Sequence, residues 1–344
     1  MNSSFNSADF YSRQVVLAEL GQEGQRKLRN SKVAVIGLGG LGSVSALYLA
    51  LAGVGKMVLV DLDTVELTNL HRQVLYSLND LRYPKVEAAA RRIQQVNPEV
   101  EIEAVAENLE PENVTSLLNG MDCVVDGLDN MAARYLLNRF CVENRVPFVF
   151  GGAIGMEGNV AVFNSPQTPC LECVMPGLSD ALLPTCDTRG VLGATTGIVG
   201  SIQAIETIKV LTGIEPTSAG KLLIFDFARS DFRTISLTIR RDCEVCQVKS
   251  QVATEYKRKL VWLCGSDTVS INPDHPMAVD LEKVRALIDS KTPVLLTTPI
   301  VIVFDYNGHE VSLFKKGRML IKNVKSEGEG ETVFREVINF LNLQ

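Results

Sequence analysis

The chain has 344 residues, enough for two domains of ordinary size. Its 34 basic and 40 acidic side chains leave a net charge of −6, which argues against a nucleic-acid or anionic-membrane binder held by bulk charge. A hydrophobic content of 46% excludes disorder as a description of the whole, and no window approaches the ~18 uninterrupted apolar residues of a membrane span. No basic-then-apolar leader opens the sequence, so a cytoplasmic setting is expected. There the cysteines that cluster would bind metal or do chemistry rather than cross-link.

Strand and helix patterns alternate through the first half. A β-branched run at 33–36 is followed at once by glycines, a helix pattern spans 41–51, and a second strand at 57–60 ends in Asp61. A helix with proline in its first turn spans 84–96. Strands are expected at 100–106, 121–125 and 147–150, with helices at 111–119 and 130–144 between them. That order predicts a Rossmann-like, doubly wound, mostly parallel sheet. After residue 150 the pattern changes to an antiparallel strand at 158–163 and a Pro-, Gly- and Cys-rich stretch at 165–193. A helix at 194–211 and a hairpin of 222–227 and 232–239 complete an α/β domain with an antiparallel extension, assigned to residues 1–248. A linker at 249–258 lies within a charged stretch. Residues 259–344 read as a small α+β domain: a strand at 261–271, a helix at 281–290, strands at 294–298, 300–305, 311–314 and 319–324, and a last helix at 331–341. Asn307-Gly308 between apolar runs marks a hairpin turn.

Gly37, Gly39, Gly40 and Gly42 follow the first strand and open a helix. Glycines there let the backbone approach a phosphate, and the helix N-terminus supplies N–H groups for its charge. Asp61 stands where a carboxylate accepts hydrogen bonds from ribose hydroxyls. A nicotinamide dehydrogenase is the default reading of that pattern, but the residues beyond Asp61 do not suit one. Asp63, Asn69, Arg72, Gln73 and Lys85 recur on the carboxyl edge of the sheet, a set of cations and amides suited to a triphosphate. Asp129-Asn130 closes the fourth predicted strand on the same edge. A carboxylate beside a polyphosphate is repelled unless it holds a metal, which makes Asp129 the candidate Mg²⁺ ligand.

Cys170 and Cys173 form one C-x-x-C pair, Cys243 and Cys246 a second, a set that fits a structural four-thiolate zinc site tying two distant loops together. Cys186 differs. It lies in the flexible stretch near Arg189, and its residues alone leave a thiolate nucleophile and an incidental loop cysteine equally open.

Tyr11-Ser12-Arg13-Gln14, the glycine run, Asp61 with Asp63, Asn69-Leu70-His71-Arg72-Gln73, Pro84-Lys85, Gly127-Leu128-Asp129-Asn130 and both cysteine pairs together resemble the ubiquitin-activating-enzyme superfamily, in its ThiF/MoeB/HesA branch, over residues 8–248. The resemblance implies an adenylyltransferase that uses ATP and Mg²⁺ on the C-terminal glycine of a ubiquitin-like sulfur-carrier or modifier protein ending in Gly-Gly, with release of pyrophosphate. It implies that the glycines hold the phosphates and Asp61 the ribose, that Asn69, Arg72, Gln73 and Lys85 engage the phosphates, and that Asp129 organises Mg²⁺. It also implies that Arg13 reaches across a homodimer interface. Cys186 matches a loop cysteine that takes up the activated carrier or its sulfur in some members and is dispensable in others. The carrier's tail is expected to pass 151–158 and 166–193, and the carrier to dock on the zinc-containing face. His71 is not assigned a catalytic role.

The last domain matches no rhodanese: Cys264 is the one cysteine there and is expected in a strand. Its element order looks like one half of a TATA-binding-protein-type fold, without the positive charge that DNA binding needs. Two other classes stand beside the adenylyltransferase: a nicotinamide-dependent oxidoreductase, and an inactive scaffold that only binds a ubiquitin-fold partner.

Overall fold

The computed structural model describes residues 5–180, 186–248, 260–263, 267–273, 275, 277–288 and 292–343. The chain divides into two compact units, one within 1–81 and 85–256, the other within 82–84 and 257–344. In the first unit α1 (Ser7–Phe10) and α2 (Gly21–Asn30) precede β1 (Lys32–Ile36), α3 (Gly40–Ala52) and β2 (Lys56–Val60). Next come α4 (Lys85–Val96), β3 (Glu101–Val105), α5 (Val114–Leu118), β4 (Cys123–Asp126), α6 (Met131–Asn144), β5 (Phe148–Ile154) and β6 (Glu157–Phe163). The unit finishes with α7 (Leu171–Val174), α8 (Cys186–Arg189), α9 (Gly193–Thr212), β7 (Lys221–Asp226) and β8 (Asp231–Ser236).

The eight strands form one sheet in the order β3-β2-β1-β4-β5-β6-β7-β8. β1 to β5 pair in parallel, and Ile36 stands between Val60 and Asp126. β6, β7 and β8 continue the sheet antiparallel from β5. The central strands are covered on both faces, which is why they read as unbroken apolar runs: Val33, Ala34, Val35 and Cys123, Val124, Val125 are all fully buried. Strand order reverses between β1 and β4, so the loops leaving those two strands border a crevice at the carboxyl edge, where ligands of open α/β sheets bind. α3 enters that edge at Gly39 and stops at Gly53, which takes the left-handed conformation (φ 89°) and donates to the carbonyl of Ala50. α6 starts on the Asn130 side chain, which accepts from the Ala133 N–H.

β4 ends at Asp126, so Asp129 and Asn130 sit in the connection beyond the strand rather than closing it. The reason is a buried charge pair. Asp126 is 0% exposed, and its carboxylate accepts from Arg134 Nε (2.9 Å) and from the Leu128 N–H (2.8 Å), which turns the chain. Arg134 donates further to the carbonyls of Leu128 (2.6 Å) and Gly151 (2.9 Å). From α9, Gln203 donates to the Asp126 carbonyl (2.7 Å). One network thus joins β4, β5, α6 and α9 behind the crevice.

The second unit contains β9 (Leu260–Leu263), β10 (Thr268–Ile271), α10 (Leu281–Ile288), β11 (Val294–Thr297), β12 (Val301–Tyr306), β13 (His309–Phe314), β14 (Met319–Lys322) and α11 (Glu327–Phe340). Its six strands pair antiparallel in the order β11-β12-β13-β14-β10-β9. The strand expected over 261–271 is two strands paired with each other, Leu263 opposite Thr268. Cys264 lies outside the described residues. Asn307 and Gly308 both take positive φ (54° and 85°), as a two-residue hairpin turn requires. α11 begins four residues earlier than its apolar pattern, because Ser326 caps it by accepting from the Glu329 N–H. Among the described residues no helix is long and apolar enough to cross a membrane.

Arg134→Met leaves the Asp126 carboxylate buried without its cation. The larger unit should lose about 3–5 kcal/mol of stability, read from urea unfolding, and Asp126→Asn in the same background should recover part of it.

Candidate nucleotide site and metal centre

The loops leaving β1 and β4 touch backbone to backbone, and only glycines permit it. A Cβ on Gly42 would lie 1.8 Å from the Gly37 carbonyl oxygen, and one on Gly127 2.2 Å from that same oxygen. Gly37 has φ +85°. Between them Leu38 is gripped from both sides: its N–H donates to Asp61 Oδ2 (2.6 Å) and its carbonyl accepts from the Tyr76 hydroxyl (3.0 Å). α3 then opens on Gly39 with no side-chain cap, so its first-turn N–H groups are left to a ligand. α9 closes this loop from the side, with Thr196 against Gly40.

Next to the loop lies a compact charge cluster. Lys85, 5% exposed, places Nζ 2.8 Å from Asp63 Oδ2. Burial opposes its charge, but Asp61, Asp63 and, more weakly, Asp129 raise its pKa above the usual lysine value, so it stays an ammonium. Asp61 accepts on both oxygens, from the N–H groups of Leu38 and Asp63 (2.8 Å). Burial nevertheless pushes its pKa up, partly offset by Lys85. Two buried acceptors beside the loop have no hydrogen-bond partner among the described residues, Asp63 Oδ1 and Gln73 Oε1. Buried polar atoms are ordinarily satisfied, so this pair points to donors that a ligand or water brings.

The other expected residues are held differently. Asn69 ends a short 3₁₀ turn, and its carbonyl accepts from the N–H groups of Arg72 and Gln73. The Arg72 guanidinium donates to the Thr68 carbonyl (2.9 Å) and lies 2.8 Å from His71 Nε2, so it is not turned onto Lys85 or Asp63. Asp129 is exposed and makes no ion pair among the described residues. Mg²⁺ takes few protein ligands where a nucleotide and water supply the rest, and one exposed carboxylate can be such a ligand. Asn130 is the helix cap, so its amide oxygen is committed to α6.

Arg13 is apart from all of these. Its neighbours Tyr11 and Gln14 are tied to the far end of α3. The Tyr11 hydroxyl and the Ala50 carbonyl share the Asn97 amide (2.7 Å each), and Gln14 donates to the Ala52 carbonyl (2.8 Å). At ~1.5 Å per residue that end lies ~18 Å from the glycine loop, beyond the reach of an arginine side chain. Cys186 opens α8, and its side chain lies outside the described residues.

Sequence reasoning missed Asp126, Arg134, Gln203 and Tyr76, and quoted Gly127 only for the resemblance, without its backbone role. Signals existed for two of them: an acid ending an apolar strand, and an arginine one turn past a helix cap.

The four cysteines of the two C-x-x-C pairs do come together, with all Sγ atoms within 4.8 Å of one another. Neighbouring sulfurs are 3.9 Å (Cys170 and Cys173), 3.7 Å (Cys170 and Cys243) and 3.4 Å (Cys173 and Cys246) apart. A tetrahedron of thiolates at about 2.3 Å from zinc has edges of about 3.8 Å, so the set fits that ion. Burial and the neighbouring sulfurs push the Cys246 thiol up to about 11 and Cys170 higher still. Burial also opposes ionisation of Cys243, but hydrogen bonds from the backbone N–H groups of Val245 and Cys246 and from the neighbouring thiols outweigh it and lower its pKa.

A family model described as the ThiF family matches residues 11–248, more than half of the sequence. The chain belongs to the ThiF family. The sulfur carrier protein adenylyltransferase of Thermus thermophilus is 42% identical over 246 residues, covering 69% of this chain and 90% of that protein. The adenylyltransferase and sulfurtransferase MOCS3 of Culex quinquefasciatus is 38% identical over 294 residues, 81% of this chain and 67% of that protein. The MOCS3 of Anopheles gambiae is 45% identical over 238 residues, 69% of this chain and 54% of that protein. The chain thus spans between about half and two thirds of these MOCS3 relatives. A crystal structure of E. coli MccB with ATP shares the fold, with a TM-score of 0.63 at 24% identity over 71% of this chain and 75% of that one.

Elemental analysis should find about one zinc per chain. Its retention should fall as pH is lowered, because protons compete with the metal for the thiolates, most strongly at Cys170 and Cys246, where burial pushes the pKa up. Metal content that does not change with acidification would argue against thiolate ligation.

Proposed function

We propose that this chain uses ATP to adenylate the C-terminal carboxylate of a ubiquitin-fold sulfur-carrier protein ending in Gly-Gly. The observation that carries the reading is the cluster beside the glycine loop: a buried ammonium on Lys85 held between Asp61 and Asp63, with unpartnered acceptors on Asp63 and Gln73. The names of the Thermus and MOCS3 relatives support it. Family membership favours it over nicotinamide oxidoreduction.

In this reading the glycine loop and the α3 N-terminus take the phosphates, and the two free acceptors take nucleotide hydroxyl or amino groups. The carrier's carboxylate attacks the α-phosphorus. A carboxylate–phosphorus bond forms, the bond to the β-phosphate oxygen breaks, and pyrophosphate leaves. The nucleophile is already an anion, so no general base is needed, which accounts for a site without a catalytic His. The work is charge stabilisation. Lys85 faces the growing negative charge, Arg72 swings from the Thr68 carbonyl to hold phosphate oxygens, and the Asn69 amide adds a donor. Mg²⁺, when held by Asp129, would neutralise phosphate charge and orient the leaving group.

Arg13 serves a second copy of the chain. It is anchored too far from its own loop, and the surface between invites a partner. α3 and α9 are apolar on nearly all sides, yet Tyr48, Ile198 and Ile205 are exposed on them. Cys186, near the exposed Arg189–Glu157 pair (2.8 Å), is the residue to test for uptake of the activated carrier. Residues 1–248 form the adenylation domain, and 259–344 an appended α+β domain joined through 249–258.

ATP–pyrophosphate exchange with carrier proteins from the same organism tests the reading. Lys85→Ala and Asp129→Ala should each lower exchange about 100-fold or more in protein that circular dichroism shows to be folded, the Lys85 variant being also the less stable of the two. Exchange at wild-type rate in both would overturn the site.

Complementation tests the dimer. Arg13→Ala and Lys85→Ala proteins, each inactive, should recover about a quarter of wild-type activity when mixed at equal amounts, since half the dimers then hold one intact site. No recovery after subunit exchange would place Arg13 in its own protomer's site.

A further inference from the structure

The first zinc knuckle carries a carboxylate that the nucleotide chemistry does not use. Glu172 lies between Cys170 and Cys173, yet it is only 9% exposed. Its carboxylate accepts from Asn138 Nδ2 (2.9 Å) and from the Arg139 guanidinium (2.9 Å), both on α6. The Asn138 amide, itself 1% exposed, returns the bond by accepting from the Leu171 N–H (2.9 Å). Val142, one turn further along α6, packs against the cysteine cluster. Backbone and side chain of the knuckle are therefore both fastened to one helix.

This fastening has a physical cost that only a purpose explains. A glutamate next to four thiolates adds a negative charge to a centre that zinc leaves at −2. Burying it requires Arg139 to cancel the charge and Asn138 to fill a second acceptor site. A small apolar residue at 172 would avoid both requirements. In exchange the clamp fixes the backbone of 170–173 and so the directions of two of the four sulfurs.

We infer that Glu172, with Asn138 and Arg139, is the positioning device of the metal centre. It presents Cys170 and Cys173 before the ion arrives and slows the ion's departure. Because Asn130 caps α6, the same clamp joins the metal centre to the helix that begins just after Asp129.

The test is chelator-driven release of zinc from the full chain, followed with a metallochromic dye. Glu172→Gln and Asn138→Leu should each release zinc about 10–100-fold faster than wild type. Far-UV circular dichroism of the loaded variants should be unchanged. Should either variant fold poorly, the partly exposed Arg139 offers a milder pair: Arg139→Met should release faster and Arg139→Lys should recover part of the retention. A second readout is hydrogen exchange at Leu171 in zinc-stripped wild type, which should stay protected by the Asn138 amide. Release rates within about twofold of wild type across folded variants, or loss of Leu171 protection as soon as zinc leaves, would overturn the inference.

Discussion

A buried carboxylate must be satisfied or neutralised, and Asp61 meets that demand in a way that builds the crevice. Its two oxygens take backbone N–H groups from the glycine loop and from the residue two positions on, so the loop is held by the strand beside it. Its charge, with that of Asp63, keeps an ammonium on Lys85 in a place where burial opposes the charge. Removing any one of the three leaves the others costly. The proposed chemistry uses the same balance: a phosphate chain entering the crevice finds a cation already desolvated and held, so little reorganisation remains.

α6 distributes this order through the larger unit. Asn130, Arg134 and Asn138 recur every four residues and share one stripe of the helix. The first caps it, the second pins the end of β4 to β5, and the third holds the cysteine loop at 170–173. A helix with an ordinary amphipathic surface would need none of them. Here the stripe is a row of hydrogen bonds to loops with little regular structure of their own, and those loops inherit their positions from it.

Much of the fold was legible along the chain, for reasons that are local. β1, β2 and α3 announce themselves by a β-branched run, a terminal acid and glycines between, and each of these acts within a few residues. Asn307-Gly308 works the same way, since positive φ at both positions is a local preference. The errors also have local causes. The apolar content of 261–271 hid the division into two strands, and two glycines in the first turn of α11 hid the strength of the Ser326 cap. Residue by residue, Gly37, Gly42, Asp61, Asp63, Gln73 and Lys85 do share one place. Arg13 does not, because Tyr11 and Gln14 fasten it to the opposite end of α3, and Asn130 turns out to serve its own helix.

The sequence by itself determined which residue types were available: cations, amides and glycines on one strand-edge rhythm, and two pairs of thiols. Hydrophobic periodicity and turn chemistry act over short stretches, so they survive in a linear reading. Only the tertiary structure decided the partners, because those are set by packing between segments far apart in the chain. It brought Gly127 against Gly37 and laid α9 over the loop. It buried Asp126 so deeply that Arg134 became obligatory, and it closed four sulfurs from two loops to zinc-sized spacing. Whether a charge is solvated, paired or poised depends on what covers it, and that cover comes from elsewhere in the fold.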